Sequence, residues 1–94
     1  MSSEWNVSVD LMKANGAWWA TPEVEGLEEE ARGEGWTVTH TPLSSHVRLH
    51  GPVPATQADT EQGAALLGGE IVTRLIEAAG ITHPIRITGK GSKP

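Results

Sequence analysis

The stretch W-T-V-T-H-T-P-L-S-S-H-V-R-L-H-G, residues 36–51, holds two alternating runs on either side of a Pro-Leu-Ser-Ser segment. Period-two alternation marks a half-buried strand, and β-branched and aromatic residues favour that conformation. The runs Trp36–Thr41 and His46–Gly51 therefore read as a hairpin. A hairpin through this connection would pair Val38 with Leu49 and His40 with Val47. The pleat then places Trp36, Val38, His40, Val47 and Leu49 on one face. Thr37, Thr39, Thr41, His46, Arg48 and His50 fall on the other. A hairpin alone cannot bury its apolar face, so its neighbours decide the fold.

On the N-terminal side, Trp5, Val7, Val9 and Leu11 alternate with Asn6, Ser8, Asp10 and Met12, which predicts a strand over 5–12. Asn15-Gly16 signals a turn. Thr21-Pro22-Glu23 opens a helix, with Thr21 suited to cap, Pro22 to the first turn and Glu23 to the positive end of the dipole. Val24, Leu27 and Ala31 form its apolar stripe, Glu28 can pair with Arg32, and Gly33 and Gly35 end it.

On the C-terminal side, Pro52-Val53-Pro54 breaks the strand, and Thr56 or Asp59 is expected to cap a long helix running to about Ala79. Its stripe comprises Ala64, Leu67, Gly68, Ile71, Val72, Leu75, Ala78 and Ala79, with Gly80 just past its end. Gly68-Gly69 in mid-helix each cost about 1 kcal/mol against alanine. Gly68 lies on the stripe, which suggests either close packing there or a kink. Residues 83–88 predict a last strand with Ile85 and Ile87 inward, and Pro84 suggests an edge position. The G-K-G-S-K-P segment, 89–94, reads as a flexible tail.

The order β-α-β-β-α-β matches the ferredoxin-like split arrangement: α+β, a four-stranded antiparallel sheet of order 4-1-3-2 with both helices on one face. The expected organisation is a single domain over 1–88 followed by the tail. A competing arrangement makes residues 13–20 an additional strand in an open α/β sandwich.

The whole chain is 94 residues with twelve acids, seven bases, a net charge of −5 and no cysteine. Disulfides, thiol chemistry and cysteine-based metal sites are thereby excluded. No apolar run is long enough to span a bilayer and no secretory signal pattern is evident, so a cytoplasmic location and no membrane partner are expected. The acidic balance and the absence of aromatics on the expected open sheet face argue against nucleic acid. Nineteen Leu, Ile and Val residues and no Phe or Tyr make a lean core, for which a homodimer would bury additional surface. The Gly-, Ala-, Glu- and Thr-rich usage resembles that of a high-GC bacterium or one of its phages.

The charge has an address. Residues 23–34 hold six acids and only Arg32 as a base, which accounts for the whole −5, and the remaining residues balance six against six. Just before them lie Trp18 and Trp19, which as neighbours cannot share one face. Tryptophan is the residue most enriched at protein hot spots. Trp18, Trp19, Glu25, Glu29, Glu30 and a stray Leu66 therefore outline a surface for a protein partner with a basic patch. The function expected is a non-enzymatic binding module, of a kind that suits a phage or bacterial accessory or inhibitor protein, with no cofactor. The alternative is a ligand-binding or catalytic use of the open sheet face, through Asp10, His46, Arg48, His50 and Arg86. Asp10 should approach His46 and Asn6 should approach His50. His46 and His50 are about 13 Å apart along a strand, too far to share a metal ion, and no metal site is expected.

Overall fold

A computed structural model of the chain describes residues 4–14, 17–40, 44–82 and 84–92. The elements are β1 (Glu4–Lys13), α1 (Thr21–Gly33), β2 (Thr37–His40), β3 (His46–Pro54), a 3-10 turn over Ala55–Gln57, α2 (Glu61–Ala78) and β4 (Ile85–Ser92). The four strands form one antiparallel sheet in the order β2-β3-β1-β4. The hairpin has the register its alternation requires, Val38 opposite Leu49 and His40 opposite Val47. Residues 17–20 belong to no strand, so the competing extra strand does not form among the described residues.

The buried set follows the period-two and helical patterns. Val7, Val9 and Leu11 of β1 and Val47, Leu49 and Val53 of β3 meet Val24, Leu27 and Ala31 of α1 and Ala64, Val72, Leu75 and Ile76 of α2. The α2 stripe is turned slightly from expectation, since Ile76 is buried and Ala78 exposed. Trp5, Trp19 and Trp36 supply the aromatic bulk that missing Phe and Tyr would otherwise provide. Burying an indole obliges its N–H to find an acceptor. Trp5 Nε1 donates to the Ala58 carbonyl at 3.0 Å and Trp19 Nε1 to the Ser45 carbonyl at 2.9 Å.

Both helices close with the same device. Gly35 and Gly80 take positive φ, which glycine accepts without strain, and turn the chain so that the next N–H reaches back: Trp36 to Ala31 and Ile81 to Ile76. The helix starts differ from expectation. Ala20, not Thr21, is the N-cap of α1, and with no side-chain acceptor there, capping comes from Glu23, which accepts the Ala20 N–H. Thr60, not Thr56 or Asp59, caps α2 by accepting the Gly63 N–H, because the 3-10 turn absorbs Thr56. The ion pairs among the described residues, Lys13 with Glu23 and His46 with Asp10, do not include one between Glu28 and Arg32.

The largest correction concerns the C-terminal segment. Residues 89–92, expected in a flexible tail, continue β4 and pair with β1. Gly89 lies opposite Val9 and Gly91 opposite Val7, on the core side of the strand. A Cβ at Gly89 would stand 2.8 Å from the Ala65 carbonyl oxygen, and one at Gly91 would stand 2.7 Å from that of Glu61. The backbone of α2 lies directly on this strand, and glycine is what admits it. Ile85 is half-buried, whereas Ile87, expected inward, is 37% exposed at the sheet's margin. No helix among the described residues is long and apolar enough to cross a membrane.

Candidate functional site

The inward parity of β1 (Trp5, Val7, Val9, Leu11) carries on to Lys13, which brings an ammonium to the margin of the core. That cation is put to structural use. Lys13 Nζ donates to Glu23 Oε1 and to the Trp18 carbonyl, each at 3.0 Å, and lies 5.5 Å from the centre of the Trp19 ring. The Lys13 and Glu23 side chains are only 12% and 23% exposed, so their attraction is weakly screened. The Trp19 N–H adds a bond to the Ser44 carbonyl at 3.3 Å. Lys13, Glu23, Ser44 and Ser45 thus fix residues 18–20 ahead of α1.

With Trp19 pinned inward at 5% exposure, the adjacent Trp18 is turned out, at 61%. The two indoles have the opposite orientations that their adjacency predicts. Trp18 overlooks a groove of about 710 Å³ between the start of α1 and β2. Trp19, Val24 and Val38 line it with apolar surface, and Glu25 and Glu28 add two carboxylates. His40 also lines the groove, and its Nε2 is shielded from solvent without a hydrogen-bond partner among the described residues.

Of the expected partner-binding residues, the structure brings Trp18, Trp19 and Glu25 together here. Trp19 takes part as a buried wall rather than as exposed surface. Glu29 and Glu30 are exposed on α1 but do not line the groove, and Leu66 on α2, 66% exposed, lies apart from it. Lys13, Glu28, Val38 and His40 were not anticipated in this role. A lysine at an inward strand position was the signal for Lys13, since a cation there needs an anionic partner. His40 carried a similar signal, being a polar group on the apolar face of the hairpin.

The chain matches no known protein family, no curated protein and no solved structure.

The alternative site gathers on the polar face of the sheet. His46 Nδ1 lies 3.0 Å from Asp10 Oδ2, the approach expected from the topology. His50 Nδ1 lies 2.8 Å from Ser8 Oγ, and Ser8 rather than Asn6 stands opposite it. Arg48 pairs across from Asp10, and Arg86, Thr88 and Lys90 of β4 complete the face. Lys90 is not among the residues expected on this face, because it falls in the segment expected as a tail. A depression of about 480 Å³ is lined by Ser8, Asp10, Arg48, Thr88 and Lys90. His46 and His50 have separate partners, so among the described residues neither imidazole links a hydroxyl to a carboxylate in the manner of a catalytic triad. Among the described residues, no three His, Cys, Asp or Glu side chains are grouped to hold a metal ion.

Proposed function

We propose that the protein is a non-enzymatic binding module that engages a basic segment of a protein partner in the groove beneath Trp18. The observation that carries this reading is an exposed indole, held on a fixed backbone, beside the Glu25 and Glu28 carboxylates. An arginine or lysine entering there meets a π-face and an anion together. A cation over an indole contributes about 0.5–2 kcal/mol, depending on how far it is desolvated. Glu29 and Glu30, on the same helix, extend the negative field beyond the groove. His40 also lines the groove, and its shielded Nε2 has no hydrogen-bond partner among the described residues. Binding without chemistry fits an accessory or inhibitor protein.

The reading extends to the fold. The element order and the strand order β2-β3-β1-β4 support the ferredoxin-like arrangement with both helices on one face, leaving the polar face of the sheet open.

An NMR titration with an arginine-rich peptide tests the groove. The expected shifts centre on the Trp18 indole, Glu25 and Glu28, disappear in Trp18→Ala, and are absent with an acidic peptide of equal length. Shifts confined to the polar sheet face, or none, refute the reading.

A further inference from the structure

We infer that the basic segment is available on a second copy of this chain: Arg86 and Lys90 of β4 dock in the Trp18 groove, so the protein associates head to tail through charge. The inference rests on the groove reading above and adds the identity of the partner.

Three observations carry it. First, β2 and β4 are the two ends of the sheet, so each has an edge with no strand beside it among the described residues. Second, the two ends differ in charge. The groove along β2 carries Glu25 and Glu28, while β4, Ile85–Ser92, contains Arg86 and Lys90 and no acid. Both β4 cations are exposed, and neither forms an ion pair or side-chain hydrogen bond among the described residues. Third, the two ends cannot satisfy each other within one molecule. Three inter-strand spacings of about 4.8 Å separate them by about 14 Å, beyond salt-bridge reach. Between copies no such separation applies. A guanidinium such as that of Arg86 can stack flat on the Trp18 indole while its N–H groups face the carboxylates, which suits arginine better than lysine.

The two surfaces are different and lie at opposite ends of the sheet. A contact between them does not pair off into a closed dimer but leaves one free end of each kind, giving short chains or rings. The contact is small and depends on charge, so it exchanges rapidly and weakens with salt.

A second role for Lys90, with Pro84, would be to guard the open edge of β4 against strand pairing, as charged residues and proline do on exposed edges. The two roles predict opposite outcomes when the charges are removed.

Light scattering and sedimentation of the full chain decide between them. Wild type should gain mass with concentration at low salt and return to monomer at about 1 M salt, where the Debye length falls to about 3 Å. Arg86→Gln/Lys90→Gln and Glu25→Gln/Glu28→Gln should each associate at least tenfold more weakly. Their equimolar mixture should form a capped one-to-one dimer, because one variant retains the groove and the other retains the cations. A wild type that is monomeric at every salt concentration overturns the inference, as does a mixture that stays monomeric. Greater association of Arg86→Gln/Lys90→Gln also overturns it, and makes those residues edge guards. If wild type stays monomeric yet binds the arginine-rich peptide at Trp18, self-docking fails and the groove reading stands.

Discussion

Gly68 and Gly69 sit side by side in the middle of α2, and replacing each with alanine separates helix propensity from packing. A Cβ on Gly69 meets nothing within 4 Å. Alanine there should stabilise the protein by about 1 kcal/mol, the usual helical difference from glycine. A Cβ on Gly68 would stand 2.5 Å from Val7 Cγ1 and 3.4 Å from the Trp36 ring. Carbon atoms rest at about 3.5–4.0 Å, so α2 and β1 must part by about 1 Å or Val7 must turn. Val7 is 2% exposed, and its cross-strand neighbours Gly51 and Gly91 are covered by the Trp36 ring and the α2 backbone, which leaves it little room. Overpacking of this kind costs about 1–3 kcal/mol, which cancels or exceeds the helical gain. The two alanine variants should therefore differ by about 1–3 kcal/mol, with Gly69→Ala the more stable. In a chain this short, each kcal/mol moves Tm by about 4–8 °C, well within the reach of thermal unfolding followed by circular dichroism. A double-mutant cycle locates the cause. Val7→Ala should cost less in the Gly68→Ala background than in wild type, by at least about 0.5 kcal/mol. Equal stabilisation by the two alanines, or a cycle with no coupling, would refute backbone-level packing of α2 on β1.

Gly91→Ala should destabilise by about 1–3 kcal/mol, because the obstructing atom is a backbone carbonyl that cannot rotate away. Hydrogen exchange should show β4 amides opening ahead of the rest of the sheet, and unchanged β4 protection would contradict this. Lys13→Met withdraws the ammonium from Glu23 and from the Trp18 carbonyl. A loss of about 1–3 kcal/mol is expected, together with faster motion of the Trp18 indole in NMR relaxation. Unaltered relaxation would show that Lys13 does not hold the segment. Trp18→Ala should leave stability within about 0.5 kcal/mol of wild type, as surface changes do. Trp19→Ala should cost about 3–5 kcal/mol in denaturant unfolding. Similar losses for the two would place both indoles in the core.

The strands and helices with strong periodicity were legible because burial on one face imposes it. The alternation of 36–51 fixed not only a hairpin but its register, and with it the side on which His46, Arg48 and His50 emerge. Glycine was where legibility ended. At Gly89 and Gly91 the absence of a side chain looked like the absence of structure. Whether glycine marks slack chain or a place where another backbone presses close depends on what lies across the gap, which is a tertiary fact. The same ambiguity hid Lys90 and therefore the basic end of the sheet. Gly68 was more readable because it fell on a helical stripe whose neighbours were already assigned to the core. In the site, the divergence of Trp18 and Trp19 followed from adjacency alone. Which of them would be buried depended on Lys13 and on Ser44 and Ser45, which are distant in sequence from α1.

Stability and presentation of the groove are coupled through Lys13 and Trp19. Trp19 is tied by its indole to Ser45 and by its backbone to Ser44, both just ahead of β3, while Lys13 holds the Trp18 carbonyl from β1. The backbone that carries the exposed indole is thus attached to β1 and to the residues that lead into β3. An interface side chain on a loose loop loses conformational freedom when it docks, at about 0.5–1.5 kcal/mol for each rotamer-rich group. Trp18 has two side-chain torsions and a fixed backbone, so most of that loss falls on folding rather than on binding. This arrangement also explains why a small domain with a lean core tolerates an exposed tryptophan. The bonds that order the segment are made to β1 and to the residues just ahead of β3, and they stabilise the fold whether or not the groove is filled. Lys13→Met should consequently weaken capture of the arginine-rich peptide even though Lys13 does not line the groove. The weakening should appear in the affinity for the peptide without any change in which residues shift. If affinity is unaffected in a folded Lys13→Met variant, presentation of Trp18 does not depend on this anchoring.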